Sequence, residues 1–248
     1  MKTNFSNLDI KDVVLISNRI DIWQFTLDVP LANSLPLLND EEEQRATRYH
    51  FPEHQRRFAA ARSMMRLILS RYTNSHPESL VFSNNQQGKP LLNHPSSIQF
   101  NISHSGDRAL LAIGKEHELG IDLENFSERP YEGIAEHLFS PNEIKTLHQV
   151  TNPLKPLVFF HIWSQKEAFI KACGLGLAYP TQTFDVSPRL FENQLIYDPV
   201  HNKTWMMRPF MPQVACNAAL CHHSMIDDIH YVKLDKHEII ELLHNPTN

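Results

Sequence analysis

Gly120-Ile121-Asp122-Leu123-Glu124 is the stretch from which the organisation of this chain can be read outward. Side chains alternate across a strand, so Ile121 and Leu123 face one way and Asp122 and Glu124 the other. Two carboxylates on one face repel, and one is pushed toward protonation unless a cation sits between them. A hard divalent ion such as Mg²⁺ is the simplest cation to meet that need. Further along, Trp163-Ser164-Gln165-Lys166-Glu167-Ala168-Phe169-Ile170-Lys171 reads as a helix. Trp163, Glu167 and Lys171 recur there at four-residue spacing and line one side. An acidic metal site beside an ammonium group suits chemistry on a phosphate or pyrophosphate ester. The ion neutralises oxygens and the lysine acts as a point charge.

The rest of the chain sets limits on that chemistry. A length of 248 residues can bury one large core or two modest ones. With 42% hydrophobic and 21% charged residues, the composition is that of a globular protein rather than a disordered one. A net charge of −5 argues against broad electrostatic binding to nucleic acid or to an anionic membrane, so any anion site must be local. Cys173, Cys216 and Cys221 are too few for a disulfide framework, and the sequence does not open on a charged-then-apolar leader. A reducing cytoplasm is the expected compartment. No apolar run approaches the roughly eighteen residues a membrane span requires.

Residues 12–26 alternate in strand fashion, with Ile20, Ile22 and Trp23 as candidates for a core. Asn39-Asp40, followed by Glu41, Glu42 and Glu43, opens a helix on its favoured acidic end. Pro52 interrupts it, and a longer helix over 53–72 carries Phe58, Met65, Leu67, Ile68 and Leu69 among Ala and Arg. Gln86-Gln87-Gly88-Lys89-Pro90 is a turn. Short strands over 98–103 and 109–113 are joined through His104-Ser105-Gly106-Asp107. Ser140-Pro141-Asn142-Glu143 is a helix entry with a capping box, stapled by Phe139 and Ile144. The helix over 157–173 stops at Gly174. Residues 184–186, 194–197 and 215–220 read as strands, and the chain closes in a polar tail. Strands and helices in this irregular order give an α+β class.

Four blocks together resemble the 4′-phosphopantetheinyl transferases of the Sfp type. They are Asn101-Ile102-Ser103-His104-Ser105-Gly106, the carboxylate strand, Phe139-Ser140-Pro141-Asn142-Glu143, and the run from Trp163 to Gly174-Leu175-Gly176-Leu177. Gln87-Gly88-Lys89-Pro90 also resembles the family's Gly-Lys-Pro turn, so the similarity spans residues 40–186. The resemblance implies two similar α/β halves, 1–116 and 117–248, related by a pseudo-twofold axis, with coenzyme A and Mg²⁺ in the cleft between them. It implies transfer of the phosphopantetheine arm of coenzyme A to a serine of an apo carrier protein, with release of adenosine 3′,5′-bisphosphate. The carrier would belong to a fatty-acid, polyketide or nonribosomal peptide synthase, and the enzyme would be a monomer holding both halves of its site.

Carried over residue by residue, Asp122, Glu124 and Glu167 would bind the metal and Lys171 would meet a phosphate oxygen. Glu167 would also accept the serine proton, directly or through water. His104 would contact the 3′-phosphate with Ser103 beside it, and Arg45, Arg48 and Lys89 would add anion contacts. Glu42 falls where some relatives carry a base. Lys166 lies inside an apolar arc of Phe159, Ile162, Phe169 and Ile170, where it either snorkels or reaches toward ligand. Glu143 is explained by its capping box. Cys221, His222 and His223 alternate across a strand and cannot all converge on zinc. Arg56, Arg57, Arg62 and Arg66 form either an exposed helix face or a docking surface for an acidic carrier. Two other classes compete. A coenzyme A or carrier-binding module without turnover would not need the full set of three acids and Lys171. Another metal-dependent phosphotransferase or hydrolase would lack any Gly-x-x-x-x-Gly-Lys-Ser/Thr loop here.

Overall fold

The computed structural model describes residues 5–6, 9–128 and 130–246. Residues 1–4, 7, 8, 129, 247 and 248, and the side chains of Phe5, Ser6 and Leu177, lie outside the described residues. Strands β1 (Phe5–Ser6) and β2 (Arg19–Thr26) lead into helices α1 (Leu31–Ser34), α2 (Asp40–Thr47) and α3 (Pro52–Thr73). Strands β3 (Phe82–Asn84), β4 (Pro90–Leu92), β5 (Ile98–Ser105), β6 (Arg108–Lys115) and β7 (Leu119–Asn125) follow. Helices α4 (Tyr131–Leu138), α5 (Pro141–Gln149) and α6 (Lys155–Cys173) come next. The chain ends with β8 (Gln194–Asp198), β9 (Lys203–Gln213), β10 (Cys216–His223), β11 (Asp228–Lys233) and α7 (Lys236–His244).

The helix ends follow from local chemistry. Asn39 and Glu42 close a capping box on α2, and Ser140 and Glu143 close one on α5. Helix α3 begins at Pro52 and stops where Asn74 turns left-handed; α6 stops the same way at Gly174. The strands form a five-stranded sheet in the order β1-β11-β2-β6-β5, a four-stranded sheet β7-β10-β9-β8, and a hairpin β3-β4. Strands β1, β11 and β2 are parallel neighbours; β2, β6 and β5 are antiparallel, as are β7, β10, β9 and β8. The fold is thus mixed α+β. Among the described residues no helix is long and apolar enough to cross a membrane.

Period-two alternation divides the core. Trp23, Phe25, Leu111 and Ile113 face α3 and α7, whereas Ile20, Ile22, Leu110 and Ala112 meet Ile121, Leu123, Ala218 and Leu220 between the sheets. On the far side of the four-stranded sheet, Met207, Ala219 and Cys221 pack with Phe159, Phe169 and Ala172 of α6. The expected polar tail is instead β11 and α7. Asp235 and Glu238 cap α7, and Ile239 and Leu243 join the core that includes Trp23. Residues 184–186 are not a strand, while β9 is an eleven-residue strand that sequence reading did not find.

Gly120 fixes how closely α6 approaches the carboxylate strand. A Cβ there would fall on the carbonyl oxygen of Ala168 and the amide nitrogen of Ala172, both backbone atoms that cannot swing aside. Gly120→Ala is expected to destabilise the protein by about 1–3 kcal/mol through overpacking, with a lowered thermal midpoint. An unchanged midpoint would show that the two backbones are not in contact.

Candidate active site

Strand β7 pairs with β10 on one side only. On its other side, side chains of β5 take the alternate amides. Ile121 N donates to Asn101 Oδ1 at 2.8 Å, Leu123 N to Ser103 Oγ at 3.3 Å, and Asn125 N to Ser105 Oγ at 3.1 Å. Residues 101, 103 and 105 share one face of β5, so a single edge supplies all three acceptors. Buried amides left without partners would be costly, and this seam removes that cost while joining the two sheets.

The same seam builds the site. Ser103 Oγ donates to Asp122 Oδ1 at 2.9 Å and accepts from Lys171 Nζ at 2.9 Å. Lys171 Nζ also donates to Asp122 Oδ1 at 2.6 Å and to the Ile121 carbonyl at 3.3 Å. Asp122 is 3% exposed, and its second oxygen, Oδ2, is buried without a hydrogen-bond partner. Glu124 Oε1 accepts from the Trp163 indole N–H at 2.8 Å, and Oε2 accepts from Ser105 Oγ at 3.4 Å. Burial, and then the nearby charge of Asp122, push the Glu167 carboxyl up to about 7; Lys171 opposes the shift and Glu124 adds to it. The structure therefore brings Asp122, Glu124, Glu167, Lys171 and Ser103 together. Asp122, Glu124 and Glu167, with an orphaned buried oxygen on Asp122, offer the carboxylate donors that a hard divalent cation takes.

Around this centre the other expected residues separate. His104 follows Ser103 on β5; burial, then the positive fields of Lys171 and Arg57, lower its pKa, so these three basic groups lie near one another. Lys89 donates hydrogen bonds to the carbonyls of Leu119 at 2.9 Å and Lys171 at 2.8 Å, and burial lowers its pKa to about 8. It lines a cavity of about 230 Å³ beside Lys171, Asn101, Ile102 and Ile170. Arg45 and Arg48 are exposed and line a different cavity, of about 400 Å³, with Arg62, Phe58 and Phe82.

Lys166 is not brought to the carboxylates and does not snorkel. It is 3% exposed, donates to the carbonyls of Thr181 at 2.7 Å and Phe184 at 2.5 Å, and pairs with Glu143 at 3.0 Å. Glu143 thus holds Lys166 as well as capping α5. Arg56, Arg57, Arg62 and Arg66 of α3 are each paired with a carboxylate within the chain. Arg56 and Arg57 clamp Asp107 at 2.7 and 2.9 Å, while Arg62 and the buried Arg66 clamp Glu42 at 2.9 and 2.8 Å. His222 is buried, accepting from Arg208 and donating to the His223 carbonyl, and Cys221 lies in the apolar core, so that cluster does not converge. Sequence reading missed the roles of Asn101, Ser105 and Trp163. The period-two spacing of Asn101, Ser103 and Ser105 was the available signal.

Residues 118–209 match the 4′-phosphopantetheinyl transferase superfamily, and residues 23–116 match the family described as 4′-phosphopantetheinyl transferase, N-terminal. The chain is 37% identical over 176 residues to 4′-phosphopantetheinyl transferase HetI of a Nostoc species, covering 67% of this chain and 73% of that protein. This chain belongs to the 4′-phosphopantetheinyl transferase superfamily. It is also 31% identical to the transferase psf-1 of Bacillus pumilus, over 75% of this chain and 79% of the relative. Similarity to the transferase Sfp of Bacillus subtilis, at 27% identity, covers 87% of this chain and 98% of Sfp. The transferase family thus matches both the β5 block and the β7 and α6 blocks that the seam joins.

Two outcomes test these assignments. Between about pH 4.5 and 7 the folded protein holds a proton on Glu167 that the unfolded chain releases, so this group's contribution to stability falls as pH rises. Glu167→Gln is expected to remove that fall in a series of thermal melts across the window; an identical slope in the variant would contradict the assignment. Lys166→Met strands the buried Glu143 charge and is expected to lower stability by roughly 3–5 kcal/mol in chemical denaturation, with part recovered by adding Glu143→Gln. A neutral Lys166→Met would show that the pair is not buried.

Proposed function

We propose that this transferase moves the 4′-phosphopantetheine of coenzyme A to a serine of an apo carrier protein, releasing adenosine 3′,5′-bisphosphate in a Mg²⁺-dependent reaction. The observation that carries it is the orphaned, buried Oδ2 of Asp122 beside Lys171 and Glu167, in a chain whose relatives bear the transferase name. Bound Mg²⁺ supplies charge neutralisation for the pyrophosphate. Asp122, Glu124 and Glu167 are the residues to hold it.

The chain's own groups do the remainder. Trp163 holds one oxygen of Glu124 and Ser103 holds Asp122, which fixes both carboxylates before substrate arrives. Lys171 would donate hydrogen bonds to a phosphate oxygen and stabilise charge on the leaving bisphosphate. Glu167 accepts the proton of the attacking carrier serine, directly or through water. His104, with Ser103 beside it, meets the 3′-phosphate, and the cavity under Lys89 receives the nucleotide end. The halves 1–116 and 117–248 form two similar units about a pseudo-twofold axis with this site in their cleft. The packing of α3 on one sheet and α6 on the other supports that division, the last strand and helix crossing back to the first half. The enzyme acts as a cytoplasmic monomer.

The test is intact-protein mass spectrometry of a panel of apo carriers incubated with the protein, coenzyme A and Mg²⁺. The expected result is a gain of one phosphopantetheine that chelator abolishes and that Asp122→Asn slows on the order of 10²-fold or more. Coenzyme A hydrolysis with no carrier gain would favour a hydrolase, and coenzyme A binding with neither reaction a binding module.

A further inference from the structure

We propose a second metal site, for a thiophilic divalent ion such as Zn²⁺, formed by Cys173 Sγ, Asp198 Oδ2 and His201 Nδ1. These three ligand atoms lie within 4.8 Å of one another. They come from separate segments: the last residue of α6, the last residue of β8, and the turn between β8 and β9. Sγ is 3.3 Å and Nδ1 is 2.7 Å from Asp198 Oδ2. A thiolate, an imidazole and a carboxylate are the donor types that zinc selects, whereas Mg²⁺ favours oxygen alone. The site is therefore chemically distinct from the cluster of Asp122, Glu124 and Glu167.

Asp198 is fully buried, and its surroundings are those of an oriented ligand. Oδ1 accepts from Tyr179 Oη at 2.8 Å, Val200 N at 3.0 Å and His201 N at 3.4 Å, and the Trp205 indole donates to Oδ2 at 3.3 Å. The contacts from Tyr179 Oη, Val200 N and His201 N all fall on Oδ1, so they can persist when Oδ2 turns to an ion, as outer contacts do around ligating carboxylates. The metal displaces the thiol proton of Cys173 to solvent, while His201 binds through Nδ1 as a neutral imidazole that keeps its one ring proton on Nε2, with no change of oxidation state. The His201 side chain is 31% exposed, which leaves a path for the ion and room for water as a fourth ligand. Because Cys173 lies two residues past Lys171, an ion here ties the end of α6 that carries Lys171 to the β8–β9 turn.

The experiment is titration of the full-length, metal-stripped protein with Co²⁺, read by absorption. The expected result is one equivalent bound with a sulfur-to-cobalt charge-transfer band and tetrahedral visible bands, both removed by Zn²⁺. Cys173→Ser is expected to lose the charge-transfer band, and His201→Phe to weaken Co²⁺ binding at least about tenfold. Asp122→Asn, which alters only the carboxylate cluster, is expected to keep the band, and this separates the two sites. Absence of a thiolate band in the folded wild-type protein, or a band undiminished in Cys173→Ser, would overturn the proposal.

Discussion

Three bonds from the side chains of Asn101, Ser103 and Ser105 to the amides of β7 hold the two sheets side by side and fix every position in the site. Their spacing of two matches the strand period, so pairing is specified residue by residue. A slip of one residue would turn Asp122 and Glu124 into the apolar layer and bring Ile121 and Leu123 to α6. Ser103 has the largest share of this constraint, because its hydroxyl meets a β7 amide, Asp122 and Lys171 together. Gly120 adds the second constraint by letting α6 rest directly on β7. The carboxylates and the lysine therefore sit on two rigid elements whose separation is set by backbone contact rather than by loops.

The charges around the site explain its chemistry. Most basic residues near the centre are already committed. Arg62 and Arg66 neutralise Glu42, Arg56 and Arg57 neutralise Asp107, and Lys166 neutralises Glu143. Lys89 is held by two carbonyls. Lys171 pairs with Asp122 of the carboxylate cluster at 2.6 Å. Burial, and then the charge of Asp122, raise the Glu167 pKa, and Asp122 Oδ2 is buried without a partner. A divalent cation relieves both conditions.

The parts legible in the sequence were those governed by short periods and caps. The alternation of Ile121 and Leu123 against Asp122 and Glu124, the four-residue spacing of Trp163, Glu167 and Lys171, the helix start at Asn39 and the capping box at Ser140 all appear as read. What was not legible depends on distant partners. Lys166 looked like a lysine in the wrong place until Glu143 and the carbonyls of Thr181 and Phe184 supplied a buried counter-surface. The arginines of α3 looked available because Asp107 and Glu42 lie far away in sequence. Helix α7 carried its own signal in Asp235, Glu238 and the apolar positions that follow, but the polar residues between them hid a segment whose partner is the N-terminal core.

The position of the ion is the most direct way to examine this arrangement. Crystals grown with coenzyme A and Mn²⁺ in place of Mg²⁺ would locate it by anomalous scattering. The expected peak lies within bonding distance of Asp122 Oδ2, with Glu124 and Glu167 as further ligands or bonded through water, and with Lys171 moved from Asp122 to a phosphate oxygen. Bound coenzyme A with no peak at these carboxylates, or with the Lys171–Asp122 pair intact beneath the pyrophosphate, would contradict it.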